Sequence, residues 1–455
     1  MIRILHHRNP GYYNQHCVKM KFYNREKELA TLEKTAQLAQ HSAQMTFIVG
    51  RRRIGKTSLL LQSTKNTRSL YFFVAKKNEL LLCADFVEQV KQEFDVPIFG
   101  EIKNFKELFG FLLELSKSQH FTLIIDEFQE FYSVNPAVFS DMQDLWDRNK
   151  NESKLNLILC GSVYSLMSKI FENAKEPLFG RATKRIHLKA FDLATLKEIL
   201  RDYNPEFTNE DLLAFYTFTG GVAKYVELLI QGQAFTLEAM IKEIIAENSL
   251  FLNEGKNVLI EEFGKDYGNY FSILSLIASG KTSRVEMESI MEIQTGGFLD
   301  RLEKEYGIIK KVRPVLAKPG SRNLKYEIED NFLKFWFRFI YKYNSAVEIG
   351  NLAYVVSIVQ RDYATFSGKL LEKYFLEQFA TQKKYNTIGT YWERGNKNEI
   401  DLVAINDINK TLVFAEVKRN PSKIDLNLLK TKSIQLKKQF HGYQIKYMSL
   451  SLEDM

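Results

Sequence analysis

Cysteine is scarce in this sequence of 455 residues, and its three cysteines are widely separated. Cys17, Cys83 and Cys160 form no CxxC motif and no Cys/His pair with the spacing of a zinc site. Small secreted domains rely on several disulfides, and structural zinc sites need clustered thiolate or imidazole ligands. The sequence therefore excludes a disulfide framework and gives no support for structural zinc, as expected in a reducing compartment.

Long apolar runs are also missing. No run of 18 or more apolar residues occurs, although a transmembrane helix needs about 20. The N-terminus, with Arg3, His6, His7 and Arg8 around a short apolar stretch, lacks the apolar core of a secretory signal. There is no internal repeat or low-complexity linker. We therefore expect a soluble, cytoplasmic protein.

The sequence does contain enough apolar material for several cores. Hydrophobic residues make up 45% of the chain and aromatic residues 13%, which excludes intrinsic disorder and a collagen-like fibre. At about 150 residues per domain, about three domains are expected. The 63 basic residues outnumber the 55 acidic ones, for a formal charge of +8. This excess is modest, so its meaning depends on where the charges lie.

The first half of the chain alternates between short apolar strands and helical segments. Strand-like runs occur at 45–49, 70–74, 121–125 and 155–160. This alternation predicts an α/β fold with a parallel sheet covered on both faces. Residues 190–250 contain no comparable run and are predicted to form several helices.

A phosphate-binding loop follows the first strand. It matches GxxxxGK[ST], and a helical pattern comes after it, as this motif requires. The nucleotide-binding residues predicted here are Gly50, Arg51, Arg52, Arg53, Ile54, Gly55, Lys56, Thr57 and Ser58. In such loops the lysine reaches the β- and γ-phosphates and the hydroxyl holds Mg²⁺. The sequence thus predicts binding of ATP and Mg²⁺.

Two carboxylates end the strand at 121–125. Ligands of parallel sheets bind at the carboxyl ends of the strands, so Asp126 is predicted to orient the metal. Glu127 is predicted to act as the general base that polarises the attacking water. The alternative is a helix cap at Asp126 and a solvated Glu127, but the nearby phosphate loop favours the ATPase interpretation.

Two further residues are weaker candidates. Ser162 follows the strand at 155–160, where a polar side chain can sense the γ-phosphate, although a plain strand-to-helix turn explains it equally well. Arg181 is a candidate arginine finger, acting within its own chain or on a neighbouring one. A surface arginine is the alternative.

These motifs together resemble the archaeal-type AAA+ ATPases, which are grouped near the signal-transducing ATPases and also occur in bacteria. The segments that carry the resemblance are 22–26, 50–57, 124–129, 160–162, 177–181 and 219–222. Members of this family usually have a proline after the paired glycines, whereas Ala223 stands there in this chain. The resemblance implies a P-loop, AAA+-like ATPase core with a helical lid.

Residues 266–330 have the order of a winged helix, with three helices followed by two strands. The wing carries Lys310, Lys311, Arg313, Lys318, Arg322 and Lys325, and no acidic residue lies between Lys310 and Lys325. Phosphate contacts need such a basic surface, which predicts DNA binding. The alternative is a lid or packing module whose basic wing is merely solvated.

Near the C-terminus, two β runs at 400–405 and 411–418 flank a turn. A hairpin symmetric about that turn places Asp401 opposite Glu416, with apolar residues on both faces. Two adjacent carboxylates in a buried hairpin repel each other and are desolvated unless a cation is present. Mg²⁺ bound by Asp401 and Glu416 is the predicted solution, with Lys418 positioning a water for attack on a phosphodiester.

Asp401, Glu416 and Lys418 resemble the motif of the PD-(D/E)xK nucleases. This resemblance implies that Glu372 is the additional acidic residue on a preceding helix. Lys432, on the basic helix after the hairpin, is a weaker candidate for a phosphate contact. The alternatives are structural ion pairs through Lys418 and a nuclease fold without activity.

The sequence therefore predicts an ATPase whose nucleotide cycle regulates a DNA-binding C-terminal half, which is in addition a candidate Mg²⁺-dependent deoxyribonuclease. A nucleotide-gated scaffold that binds DNA or a protein, and a protein remodeller, are the alternatives, and a second copy of the chain is one partner left open. The predicted domains are an N-terminal extension (1–20), a P-loop ATPase core (21–188), a helical lid (189–265), a winged helix (266–345) and a nuclease-like α/β domain (346–455).

Overall fold

The computed structural model describes residues 19–97, 100–263, 267–318 and 320–455. The predicted N-terminal extension therefore lies almost entirely outside the described residues.

A five-stranded parallel sheet forms the centre of the first half, as predicted. Its strands lie in the order β2-β3-β4-β1-β5. They are β1 (Gln44–Val49), β2 (Ser69–Phe73), β3 (Phe121–Asp126), β4 (Leu155–Cys160) and β5 (Lys184–His187). The sequence did not predict β5, because only Ile186 of its four residues is buried and no apolar run marks it.

Seven helices accompany this sheet. They are α1 (Glu26–Ala39), α2 (Lys56–Ser63), α3 (Glu79–Glu93), α4 (Phe105–Ser118), α5 (Phe131–Val134), α6 (Ala137–Asn149) and α7 (Tyr164–Glu172). α4 shows why they form: the Asn104 side chain caps its first turn, and Leu108 and Leu112 lie four residues apart on its buried face. The apolar strands are thereby enclosed, which fixes the positions of their carboxyl ends.

Helices alone make up the next segment, as predicted. They are α8 (Leu193–Tyr203), α9 (Asn209–Thr219), α10 (Ala223–Gln231), α11 (Leu237–Ile244) and α12 (Leu250–Phe263). α9 begins at a capping box between Thr208 and Asp211 and ends at Gly220, whose φ of 55° suits glycine. Each residue from Asp211 to Thr219 is buried, so α9 lies inside this helical region.

Three helices and a two-stranded hairpin follow, in the predicted order. They are α13 (Tyr267–Ala278), α14 (Arg284–Met291), α15 (Gly296–Lys304), β6 (Ile309–Val312) and β7 (Lys325–Ile328). The hairpin also touches the C-terminal sheet: the Val315 amide donates to the Thr390 carbonyl at 2.8 Å. The indole of Trp392 donates to Asn323 at 2.9 Å.

The C-terminal region contains a four-stranded sheet and a long helix. Its elements are α16 (Asn331–Phe335), α17 (Asn344–Glu348), α18 (Leu352–Thr381), β8 (Thr387–Glu393), β9 (Lys397–Asn406), β10 (Thr411–Lys418), α19 (Leu426–Lys432), α20 (Ile434–Lys437) and β11 (Gln444–Ser451). The strand order is β11-β10-β9-β8. The predicted hairpin register is confirmed from Thr411 opposite Asn406 to Ala415 opposite Leu402. The flanking strands β8 and β11 were not predicted.

One apolar core connects the two halves. It contains side chains from one face of the five-stranded sheet, from α8 to α16, from α18 and from one face of the C-terminal sheet. Burial of apolar surface on this scale stabilises the contact between the halves. No helix of the described residues combines the length and apolar character needed to cross a membrane.

Candidate functional site

The phosphate loop connects β1 to α2 at the carboxyl end of the sheet. Gly55 precedes α2 with φ of 94°, a conformation that favours glycine. The buried Lys56 ammonium donates to the carbonyls of Gly50 at 2.7 Å and Arg51 at 3.1 Å. Burial lowers the pKa of Lys56, and the carboxylates of Asp126 and Glu127 partly oppose this shift. Thr57 and Ser58 are exposed on the first turn of α2.

Asp126 is buried at the end of β3 and accepts several hydrogen bonds. The Tyr71 hydroxyl donates to one carboxylate oxygen. The other oxygen accepts from the Cys160 thiol at 2.7 Å and from the Glu127 amide at 2.9 Å. The Thr57 side chain also lies near the Tyr71 hydroxyl. The side-chain oxygens of Asp126 and Thr57 are thus both near Tyr71, and oxygen ligands of this kind suit Mg²⁺.

Glu127 has a left-handed backbone, with φ of 54°, which turns its side chain towards β4. The Ser162 hydroxyl donates to it at 2.7 Å, and the Gln129 amide also donates to it. A Cβ atom at Gly161 would lie 2.0 Å from Gln129 Oε1, so only glycine permits this approach. The predicted residues Glu127 and Ser162 are therefore in direct contact.

Arg181 lies at the opposite end of the sheet. Its side chain donates a hydrogen bond to Asp147 at 3.0 Å. Two residues later, the Thr183 amide donates to the carbonyl of Met45, near the start of β1, at 2.7 Å. Met45 precedes Gly50 by five residues, which is roughly 16 Å along an extended strand. The structure therefore does not bring Arg181 to the phosphate loop of its own chain.

Two arginines of the loop have partners far along the chain. Arg51 pairs with Asp330 at 3.2 Å, and Arg53 pairs with Glu254 at 2.9 Å. Two neighbouring residues of the loop, Arg52 and Ile54, were also predicted to bind the nucleotide and are half-buried and buried respectively. The loop is thus held by acidic residues from α12 and from the segment before α16.

The predicted carboxylate pair of the C-terminal hairpin is buried. The backbone amide of Val417 donates to Asp401 at 2.9 Å. Lys418 reaches Asp401 at 3.2 Å and Glu416 at 3.0 Å. A second lysine, Lys432, reaches Glu416 at 3.1 Å. Burial raises the pKa of Asp401, while the two carboxylates raise the pKa of Lys418 against the effect of burial.

Glu372 lies on α18 beside this pair. It forms an ion pair with Lys369 at 3.0 Å. Burial, and then the charge of Asp401, raises the pKa of Glu372 to about 8. Glu399, two residues before Asp401 on β9, forms an ion pair with Lys325 at 3.2 Å.

The described residues contain no group of three or more His, Cys, Asp or Glu side chains arranged to hold a metal ion. Carboxylate oxygens nevertheless suit Mg²⁺, and Asp401 and Glu416 would hold it.

The basic wing is partly neutralised in three dimensions. Lys311 pairs with Asp300 and Glu303, Lys310 with Glu327 and Lys325 with Glu399. The Lys325 ammonium also lies 4.4 Å from the centre of the Trp392 ring. The expectation of a wholly uncompensated wing was wrong for Lys310, Lys311 and Lys325, because acids from α15, β7 and β9 fold against them. The other three basic residues of the wing, Arg313, Lys318 and Arg322, are exposed. The lysines exposed on and near α19 and α20 are Lys423, Lys430, Lys437 and Lys438.

The sequence did not predict five residues that position the site. Tyr71 and Cys160 contact Asp126, and Gln129 contacts Glu127. Asp330 and Glu254 bind the loop arginines. Tyr71 lies in β2 and Cys160 in β4, and no local sequence pattern predicts that these two strands flank β3. The two acids meet the loop only through the tertiary fold.

Comparison with known protein families identifies two parts of the chain. Residues 22–229 match a family described as an ATPase domain predominantly from Archaea. Residues 336–429 match a family of archaeal and bacterial proteins of unknown function. The first match agrees with the geometry of the phosphate loop and Asp126. The chain thus contains a region similar to an archaeal ATPase domain, followed by a region similar to a family of unknown function.

Comparisons with single proteins cover longer parts of the chain. An uncharacterized protein of Methanocaldococcus jannaschii is 29% identical over 406 residues, which cover 87% of each chain. A Walker-type ATPase of Pyrococcus abyssi is similar in fold, with a TM-score of 0.54 and 18% identity over 70% of this chain and 96% of its own. The ORC2 protein of Aeropyrum pernix, in its ADPNP-ADP complexes, has a TM-score of 0.46 and 13% identity over 76% of this chain and 98% of its own.

Proposed function

We propose that this chain, whose residues 22–229 match a family of archaeal ATPase domains, hydrolyses ATP and thereby controls a C-terminal half that binds and cuts DNA. The observation that carries the proposal is that the phosphate loop follows β1 while Asp126 and Glu127 follow the apolar run of β3, which places Lys56 and both carboxylates at one edge of the parallel sheet. Ligands of such sheets bind at this edge. The region from 266 to 345 takes the role of a winged helix, and residues 346–455 that of a nuclease-like domain.

Each polar group of the ATP site has a distinct role in hydrolysis. Lys56 binds the β- and γ-phosphates and stabilises the charge of the transferred group. Glu127 accepts a proton from the attacking water, and Ser162 orients Glu127 at 2.7 Å. Thr57 and Asp126 would hold Mg²⁺, which neutralises phosphate charge when bound.

The C-terminal half supplies a surface for DNA and a candidate site for its cleavage. Lys430, Lys437 and Lys438 are exposed, and DNA affinity depends on such cations. Asp401 and Glu416 would hold Mg²⁺, which activates water and neutralises a phosphodiester when bound. Lys418 contacts both carboxylates and is placed to position that water. Glu372 accepts or returns a proton at the same cluster.

Replacing Lys430, Lys437 and Lys438 together by glutamine is expected to weaken DNA binding. Three lost phosphate contacts reduce the slope of log affinity against log salt by about three. Fluorescence anisotropy with a labelled duplex at several salt concentrations measures that slope. The same change at Lys27, Lys34 and Lys91, which are exposed in the ATPase domain, is the control and leaves the slope unchanged.

ATP turnover with and without duplex DNA then tests the link between the two halves. Stimulation in the wild type, reduced in the α19–α20 variant but not in its control, supports DNA as the regulated ligand. An unchanged salt slope in the α19–α20 variant contradicts the DNA interface. Stimulation by a protein and none by DNA favours a remodeller.

A second candidate function is a nucleotide-gated scaffold that cuts nothing. It is favoured by one observation, the direct contact of Lys418 with both Asp401 and Glu416 at 3.2 and 3.0 Å. Lys418, together with Lys432 on Glu416, can neutralise the buried carboxylate pair without a metal. Titration of Mn²⁺ by calorimetry separates the two functions, because only the nuclease requires a cation bound at Asp401.

Arg181 is proposed to act as an arginine finger on a neighbouring copy of the chain. Its side chain is partly exposed at the sheet edge opposite the loop, so ATP bound to another copy is the target that it can reach. We expect Arg181→Ala and Glu127→Gln each to lose ATPase activity, and an equimolar mixture to regain part of it. In a mixed assembly, an intact Glu127 from one copy meets an intact Arg181 from another.

The matched control for this mixture is Arg148→Ala, since Arg148 is an exposed arginine paired with Asp144 on the nearby helix α6. This variant is expected to retain activity alone. Full activity of Arg181→Ala alone, or no recovery in the mixture at any protein concentration, would show that Arg181 is only a surface arginine.

A further inference from the structure

The phosphate loop is held by two carboxylates from outside the ATPase domain, which ends at residue 229 in the family match. Arg53 forms two hydrogen bonds with Glu254, at 2.9 and 3.2 Å. Arg51 donates to Asp330 at 3.2 Å, across 279 residues of sequence. Both carboxylates are almost fully buried, with side-chain exposures of 5% and 9%. Buried ion pairs of this kind are costly to break from one side.

The same loop must bind a polyanion. Lys56 donates to the carbonyls of Gly50 and Arg51, and its third N–H can donate to a phosphate oxygen. Arg51 lies beside that position and carries a guanidinium, which forms strong paired hydrogen bonds with phosphate. Asp330 and the nucleotide phosphates are therefore competitors for one cation.

Asp330 also belongs to a segment that contacts the nuclease-like region. One of its oxygens caps α16 by accepting from the Leu333 amide at 3.0 Å. On either side of it, the Glu329 carbonyl and the Asn331 side chain accept from Lys373 at 2.7 and 2.6 Å. Lys373 follows Glu372 on α18. Residues 329–331 therefore touch the phosphate loop on one side and the helix of Glu372 on the other.

We propose that Asp330 is a positioning residue of the nucleotide site, which competes with nucleotide phosphates for Arg51. When phosphate takes Arg51, Asp330 loses its partner, and the segment 329–331 moves relative to α18. The exchange links nucleotide binding to the position of Glu372. This inference rests on the proposed function only in requiring that the loop binds ATP.

The decisive variant is Asp330→Asn. Asparagine is as good a helix cap as aspartate, so α16 keeps its cap while the charge that holds Arg51 is removed. We expect nucleotide affinity to rise about fivefold or more, a normal size for coupling between sites. Titration with a fluorescent ATP analogue measures it. In an Arg51→Gln background the same substitution is expected to have no effect, because no cation is left to compete for.

Asp425→Asn is the matched control. Asp425 caps α19 through the amides of Asn427 and Leu428, and no ion pair with it is found among the described residues. It is expected to leave nucleotide affinity unchanged. Asp330→Ser gives a second variant that preserves the cap without the charge, should the asparagine variant fold poorly.

Hydrogen exchange tests the link to α18. ATP is expected to change amide protection at 329–335 and 352–381 in the wild type and much less in Asp330→Asn. If wild type and Lys56→Ala both fail to bind ATP, the proposed function itself is wrong. If the wild type binds and Lys56→Ala does not, two results overturn the role of Asp330. They are an unchanged or weaker affinity in Asp330→Asn, and a gain that persists without Arg51.

Discussion

Substitution of Lys56 by alanine is expected to remove ATP turnover almost completely, by at least about 100-fold. The Lys56 ammonium is buried at the centre of the phosphate loop, where burial lowers its pKa and strengthens its attraction to phosphate. Alanine offers no donor at this position and leaves the carbonyls of Gly50 and Arg51 without their partner. Release of inorganic phosphate at saturating Mg²⁺ and ATP measures the loss.

Lys65→Ala provides the control, because this exposed lysine lies just beyond α2 and has no role in the proposed site. It is expected to retain turnover within about twofold of the wild type. Circular dichroism shows whether Lys56→Ala remains folded. A folded Lys56→Ala protein that hydrolyses ATP at the wild-type rate would exclude this loop as the site of hydrolysis.

Local patterns predicted where β1, β3 and β4 lie, and the residues of the proposed ATP site follow these parallel strands. The runs of these three strands are mostly apolar, so their ends could be predicted and the side chains that follow them expected at one edge. The hairpin register followed from the turn between β9 and β10 in the same way. In both places, a strand end or a turn within a few residues determines where the side chains lie.

Contacts between distant segments could not be predicted in this way. The pair of Arg51 and Asp330 joins two residues that only the packing of α9, α16 and α18 brings together. β11 is missed because its alternation of exposed and half-buried residues lacks an apolar run. It pairs with β10 in parallel, so no turn fixes its position.

The net charge of a surface also cannot be predicted from neighbouring residues in the sequence alone. The wing appears strongly basic along the sequence, yet Lys311 alone meets two carboxylates of α15. By contrast, Lys430, Lys437 and Lys438 on and near α19 and α20 are exposed, whereas Lys432 pairs with Glu416. The proposed DNA interface of Lys430, Lys437 and Lys438 therefore lies on the segment that follows β10, where Lys432 contacts Glu416. This arrangement joins the proposed DNA interface to the proposed cleavage site, and it makes Asp401 the most informative residue of that half.

Asp401→Asn is expected to abolish Mg²⁺-dependent nicking of DNA, by about 100-fold or more, and to leave ATP turnover intact. Asparagine retains an oxygen that accepts from the Val417 amide at 2.9 Å, so the hairpin is preserved. It removes one of the two negative charges that would hold the cation. Conversion of supercoiled plasmid to its nicked form, followed with Mg²⁺ and with excess EDTA, measures the activity.

Glu399→Gln is the matched control for this variant. Glu399 lies two residues earlier on the same face of β9, but its partners are Lys325 and Lys369 rather than Lys418. We expect this variant to nick DNA at a rate near that of the wild type.

If the wild type cuts no DNA with either Mg²⁺ or Mn²⁺, the nuclease proposal fails and the scaffold is favoured. If Asp401→Asn nicks as fast as the wild type, the activity belongs to another site. Loss of nicking in Asp401→Asn alone, with ATP turnover unchanged, would separate the two sites and assign the cation to β9 and β10.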